Sequence, residues 1–197
     1  MLTPLTFSEG FKLEEAYIEN SVRTRLIISG INELEEHGIK DFSLRRTALA
    51  AQVSCAAPYR HFKDKEEFLS EIIKYIASKW ELLCREIEAV FASDLRRKII
   101  ELAVANLRFW IANPNYRSVL MTLSHTGGEG LANFDAPLMA ALDEYGTKYG
   151  EYDNVEMKKY TVRALIYGSL MLTRADADRT ASTELLRKKL EEEFPQK

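Results

Sequence analysis

Apolar residues recur at intervals of three and four along nearly the whole chain, and no segment shows the strict alternation of a half-buried strand. The longest run, Leu69, Ile72, Ile73, Ile76, Trp80, Leu83, Ile87 and Val90, keeps one apolar stripe for about seven turns, a helix of about 40 Å. This pattern predicts an all-α protein. With 197 residues, 46% of them hydrophobic, the chain can bury a sizeable core as one large domain or two small ones. The start, MLTPLTFSEGFKLEE, has no basic leader, and no apolar run reaches the roughly 18 residues of a membrane span. Cys55 and Cys84 form neither a C-x-x-C nor a metal-ligand pattern. A cytoplasmic protein without a metal, a cofactor or a membrane contact is expected.

Start and stop signals divide the pattern into eight or nine helices. The first 19 residues read as an arm or a short irregular helix. Val22, Leu26, Ile27, Ile31 and Leu34 mark a helix stopped by Gly38. Ser43 is placed to cap a helix over Leu44–Ala51 and Ser54 another over Cys55–His61. In that second helix Pro58 falls at the fourth position, where it removes an intrahelical bond. Asp64 and Glu67 form a capping box for the long helix, which runs to about Phe91. Leu95, Ile99, Leu102, Ala103, Leu107 and Trp110 mark the next, ended by Asn113-Pro114, and Pro114 opens a short helix to Ser124. The segment HTGGEG (His125 to Gly130) is a candidate hinge. Beyond it a helix runs to Tyr149, a second capping box at Asp153 and Glu156 opens one to about Ala175, and the last covers Ser182–Phe194.

Two short helices joined by a tight turn, with a third before them, have the organisation of a helix-turn-helix. Charge is concentrated there. Between Lys40 and Lys65, six basic side chains (Lys40, Arg45, Arg46, Arg60, Lys63, Lys65) face two acidic ones (Asp41, Asp64). That local +4 sits on a chain of net −3, which leaves −7 elsewhere. A basic island interleaved with Tyr59 and His61 suits phosphate contact, although a short basic run is also a common solvated surface.

The residues themselves carry more. FSLRRTALAAQVSCAAPYRHFKDKEEFL (Phe42 to Leu69) closely resembles the DNA-binding segment of the tetracycline-repressor (TetR) family of transcriptional regulators. Phe42, Ser43, Ala48, Ala51, Val53, Ser54, Tyr59, His61, Phe62, Lys65 and Glu66 stand at the family's motif positions without gaps, and with the leading helix the likeness covers about a quarter of the chain, from Val22 to Leu69. Thr47 stands where the family usually has isoleucine, Gln52 where it has glycine, and Cys55-Ala56 where it often has Lys-Gly. The resemblance implies that Ser43 and Arg45 contact phosphate or a base edge, with Arg46 beside them. Ser54, Cys55, Ala56 and Ala57 would begin a recognition helix in the major groove. Tyr59 and His61 would hold the backbone, and Lys65 a phosphate. Small residues touch thymine methyls but make no bidentate pair with guanine, so Arg45 and Arg60 are the expected sources of base hydrogen bonds. Cys55, at a helix start that lowers thiol pKa, has a sharper reading as a redox sensor and a plainer one as a small packing residue.

The resemblance also implies a DNA-binding domain over residues 1–66 and a helical ligand-binding and dimerisation domain over 67–197. Phe109, Trp110, Tyr116, Met121, Met139, Tyr145, Tyr167 and Met171 are the candidate ligand contacts, and together they suggest an apolar or aromatic effector. The last two helices occupy the place of the family's dimer bundle, with Thr161, Ala164 and Gly168 spaced for close approach. The expected function is a repressor that binds palindromic operator DNA as a homodimer and is released by a small molecule.

No enzyme is expected. A di-metal carboxylate bundle needs Glu three residues before His, whereas Leu34, Pro58 and Thr122 precede His37, His61 and His125. Neither H-E-x-x-H nor G-x-S-x-G occurs. The alternative is a helical adaptor or small-molecule-binding protein without DNA-binding activity.

Overall fold

Helical periodicity becomes helix throughout the computed structural model, which describes residues 21–124, 134–150, 152–173 and 176–195. The N-terminal arm and the HTGGEG segment lie outside the described residues. Those described form nine α-helices and one 3₁₀ turn, with no strand. They are α1 (Val22–His37), α2 (Leu44–Ala50), α3 (Ala57–His61), α4 (Lys65–Val90), α5 (Leu95–Ala112), α6 (Pro114–Ser124), α7 (Ala136–Tyr149), the turn Tyr152–Asn154, α8 (Val155–Leu172) and α9 (Asp176–Glu193). The chain divides into two compact units, Met1–Tyr75 and Ile76–Lys197, and the division falls within α4.

In the first unit α1, α2 and α3 pack on one another. Leu26, Ile27, Ile31 and Leu34 of α1 are buried with Phe42, Ala48, Phe62 and Phe68. Gly30 permits the closest approach: a Cβ there would lie 2.4 Å from the Phe68 ring, which is itself fully buried. Phe68 shows that the apolar stripe of α4 is offset from the sequence pattern. Its buried face is Phe68, Ile72, Ile76, Trp80, Cys84 and Ile87, whereas Val90 is 58% exposed. Cys84 serves as an apolar residue here.

Several caps form as their chemistry requires. Ser43 Oγ accepts from Arg46 N at 3.3 Å. Asp64 Oδ1 accepts from Glu67 N at 2.8 Å, while Glu67 reaches back to the Lys63 amide. Two expected caps do not form. α3 begins at Ala57 rather than Cys55, with Ala56 as a cap that makes no side-chain bond; Ser54 instead accepts through its carbonyl from Ala57 N at 2.8 Å. Pro58 therefore lies in the first turn, where amides have no intrahelical acceptor, so the helix loses no hydrogen bond. At α8, Asp153 is taken into the 3₁₀ turn and Asn154 caps without its side chain, so the second capping box is absent.

The turn between α2 and α3 is a Schellman closure, with Val53 N donating to Ala48 O and Gln52 N to Leu49 O, both at 3.0 Å. It places Gln52 at φ 56°, the left-handed region where a side chain is disfavoured and glycine is not. Gln52→Gly is expected to raise unfolding free energy by up to about 1 kcal/mol in urea denaturation.

In the second unit α5 packs against α6, α7, α8 and α9. This explains why it is buried almost all round: Ile100, Val104 and Asn106 are enclosed as well as the expected stripe. Asp94 caps it by accepting from Arg97 N at 3.0 Å. Among the described residues no helix is long and apolar enough to cross a membrane.

Candidate functional sites: a helix-turn-helix surface and a buried aromatic and polar cluster

Around the α2–α3 turn the side chains sort by commitment. Arg45, Ser54, Cys55, Ala56, Tyr59, Arg60 and His61 are exposed, and Tyr59 retains 65% of its surface. Among the described residues, Arg45 and Arg60 make no ion pair. Ala57 departs from expectation: it is 8% exposed and faces inward, because the helix begins with it. Arg46 is engaged within the unit. Its guanidinium donates to Glu33 Oε1, with Nε at 2.8 Å, and to the Asp41 carbonyl. Glu33, buried at the end of α1, also accepts from Ser43 N at 3.2 Å. One carboxylate thus fixes both the start of α2 and Arg46. Lys65 is similarly placed, with Nζ donating to Ile39 O at 2.9 Å and lying 5.3 Å from the centre of the Phe42 ring. Leu49, 75% exposed, is an outward apolar residue that the sequence reading did not single out.

The two cysteines differ sharply. Cys55 is exposed, whereas burial, with Glu88 and Glu81 nearby, pushes the Cys84 thiol up to about 12. In the native state Ellman's reagent is expected to titrate one thiol promptly and the second only on unfolding.

In the second unit the aromatic residues form two groups. Phe109 stands 5.1 Å from Trp110 and 6.2 Å from Tyr116, and Trp110 stands 4.7 Å from Phe134. Trp80 closes this group, 5.5 Å from Phe109, with its indole N–H donating to Phe134 O at 2.7 Å. Tyr145 belongs elsewhere, packed on Tyr149 and Phe194 at 4.6 and 5.2 Å. Met171 is 74% exposed at the end of α8 and joins neither group, because its position faces outward. Met139 is half-buried on α7, and Met121 is described only by its place on α6.

Beside Phe134 lies a polar cluster. Asp135 precedes α7 but does not cap it with its side chain. Its Oδ2 accepts instead from Arg163 Nε at 3.2 Å and Tyr167 OH at 3.3 Å. Burial pushes the Asp135 carboxyl up, while Arg163, Tyr167 and Asn106 pull it back. Burial and the same carboxylate raise the Tyr167 phenol to about 12. Asn106, 1% exposed, is close enough to bear on that carboxyl, yet both ends of its amide and Asp135 Oδ1 lack hydrogen-bond partners. Such a buried, unpaired group costs about 1–3 kcal/mol. Tyr167 was expected at a ligand site; Trp80, Asn106, Phe134, Asp135 and Arg163 were not. The available signal was an uncharged polar residue, Asn106, inside the apolar stretch AVANL.

A third feature is an outward apolar stripe on α8. Met157, Tyr160, Met171 and Leu172 are each at least 66% exposed, Ala164 and Gly168 lie exposed between them, and Leu185 of α9 is 69% exposed. A Cβ on Gly168 would touch nothing within 4 Å.

Residues 26–72, the helix-turn-helix and the start of α4, match the model for bacterial regulatory proteins of the tetR family. The chain thus carries the DNA-binding segment of the TetR family. A curated relative, the probable acrEF/envCD operon repressor of Escherichia coli K12, is 27% identical over 103 residues. That match takes in 52% of this chain and 47% of the relative, so it spans about half the length of each. Among solved structures, the TetR-family transcriptional regulator PfmR of Thermus thermophilus aligns over 89% of this chain and 96% of its own, with a TM-score of 0.66 and 19% identity. The transcriptional regulator FadR of Bacillus subtilis, solved with stearoyl-CoA, aligns over 82% of this chain and 96% of its own, at 0.59 and 16%. At these identities the structural matches speak to the fold, which is the TetR architecture of an N-terminal helix-turn-helix and a helical C-terminal part.

Proposed function

We propose that the chain is a ligand-responsive transcriptional repressor that binds palindromic operator DNA as a homodimer and is released by a small apolar or aromatic ligand. The observation that carries this reading is a pair of exposed guanidiniums, Arg45 on α2 and Arg60 on α3, without ion pairs among the described residues, beside Arg46 and Lys65, which are held by the fold. Residues 1–66 form the DNA-binding domain and 67–197 the effector and dimer domain. Arg45 and Arg60 read bases, and Ser43, Ser54, Cys55, Ala56, Tyr59 and His61 complete the contact surface. The operon-repressor name of the Escherichia coli relative supports repression, and the stearoyl-CoA complex of the Bacillus subtilis regulator supports an effector with apolar surface.

The stripe on α8 with Leu185 forms a two-fold interface, which would set recognition helices about 34 Å apart on DNA. Replacing Leu172 and Leu185 by glutamate is expected to convert dimer to monomer in sedimentation equilibrium; an unchanged dimer would place the interface elsewhere. Because α4 is shared by both units, ligand binding acts on DNA affinity through it, to the extent that the ligand prefers one state.

The direct test is binding to genomic fragments, including DNA upstream of the chain's own gene, at two salt concentrations. Sequence-selective binding that weakens steeply with salt is expected. Its absence would leave a helical small-molecule binder.

A further inference from the structure

One cation of the helix-turn-helix is claimed from inside the fold. Glu33 is 7% exposed, on a helix that also buries Ile31 and Leu34, and a carboxylate in such a place needs donors. Its Oε1 accepts from Ser43 N at 3.2 Å, from Arg46 Nε at 2.8 Å and from Arg46 Nη2, while Oε2 faces His37 Nδ1 at 3.5 Å. Arg46 is not buried with it. Its side chain keeps 46% of its surface, in the first turn of α2, beside Arg45 and three residues after the cap Ser43. A guanidinium thus stands where the proposed DNA contacts begin, with its fork turned toward the protein.

The two partners open to Arg46 are unequal. Moving to a DNA phosphate would gain one solvent-exposed, salt-screened contact, whereas leaving Glu33 would strand a buried carboxylate. The carboxylate therefore keeps the guanidinium when DNA docks. We propose that Glu33 is a positioning residue that withholds Arg46 from the DNA backbone and so limits affinity for DNA of any sequence. The inference rests on the DNA-binding reading above. Phosphate contacts carry no sequence information, so a withheld cation weakens retention on unrelated DNA and leaves discrimination by Arg45 and Arg60 intact.

The test is fluorescence anisotropy with the full chain and two labelled duplexes, one of mixed sequence and one from upstream of the chain's own gene, at about pH 8, above the ordinary imidazole range. Glu33→Gln keeps the shape of the side chain and removes its charge. It is expected to tighten binding to both duplexes, with a gain about 3.5-fold larger at about 50 mM salt than at about 200 mM, as one added phosphate contact requires. Glu36→Gln removes the same charge from a neighbour whose side chain is 77% exposed, and its gain should be clearly smaller. The double variant Glu33→Gln/Arg46→Gln has the net charge of the original chain and no stranded buried charge, so its affinity and salt slope should match the original. Melting curves followed by circular dichroism establish which variants are folded, and if Glu33→Gln alone is not, the slope of the double variant decides. A folded Glu33→Gln without the gain, an equal gain in Glu36→Gln, or a double variant with a shallower slope than the original chain would overturn the proposal. Salt-dependent binding by the original chain with none of the expected shifts removes the role of Glu33 alone. Absence of such binding removes the DNA-binding reading with it.

Discussion

Phe68→Ala is expected to cost the first unit about 3–5 kcal/mol in urea denaturation, the usual range for deleting a fully buried phenylalanine. Its ring contacts three parts of the small core, standing 5.7 Å from Phe42 and 4.6 Å from Phe62 and filling the space over Gly30. Gly30→Ala should destabilise by about 1–3 kcal/mol for the opposite reason, since the new methyl meets a ring that has nowhere to retreat. Part of that cost is offset by the better helix propensity of alanine, about 1 kcal/mol. The double variant separates the two mechanisms. With alanine at 68 the methyl at 30 enters vacated space, so the combined loss should fall short of the sum. Additive losses would mean that Gly30 is required by something other than Phe68.

The second large effect concerns DNA. Arg45→Ala and Arg60→Ala are expected to cost about 1–3 kcal/mol of operator binding each and to relax base preference. The pair should weaken binding by about 30-fold or more. Neither is expected to change stability appreciably, because both side chains are exposed and make no ion pair among the described residues. Arg46→Ala and Lys65→Ala should behave differently, lowering the melting temperature before they touch DNA affinity. One removes the guanidinium from Glu33 and Asp41, and the other removes the donor from Ile39 O. If Arg45→Ala scales affinity equally for all sequences, base reading belongs to Arg60 or to DNA shape.

The helical architecture was legible because periodicity and caps are local: Ser43, Asp64 with Glu67, and the Asn113-Pro114 boundary all act within four residues. The same locality explains the failures. Ser54 and Asp153 have the right residue types, but the chain makes turns there that caps alone do not reveal. Stripe assignment on α4 chose Leu69 over Phe68 because either fits a three-four pattern, and only the hole at Gly30 decides between them. Arg46 and Lys65 were expected at DNA, and their bonds to Glu33 and Ile39 were not legible because those partners lie 13 and 26 positions away. Asn106, Asp135 and Arg163 come from three helices or their ends, and no spacing rule joins them.

The chain has only two tryptophans, and both belong to the aromatic group around Phe134. Trp80 is fixed there by its indole hydrogen bond. The first unit contains none, so tryptophan emission, excited apart from tyrosine, is a label-free optical record of the second unit. A quencher or a bound molecule near Phe134 is seen directly, whereas DNA docking changes the signal only through its effect on that unit.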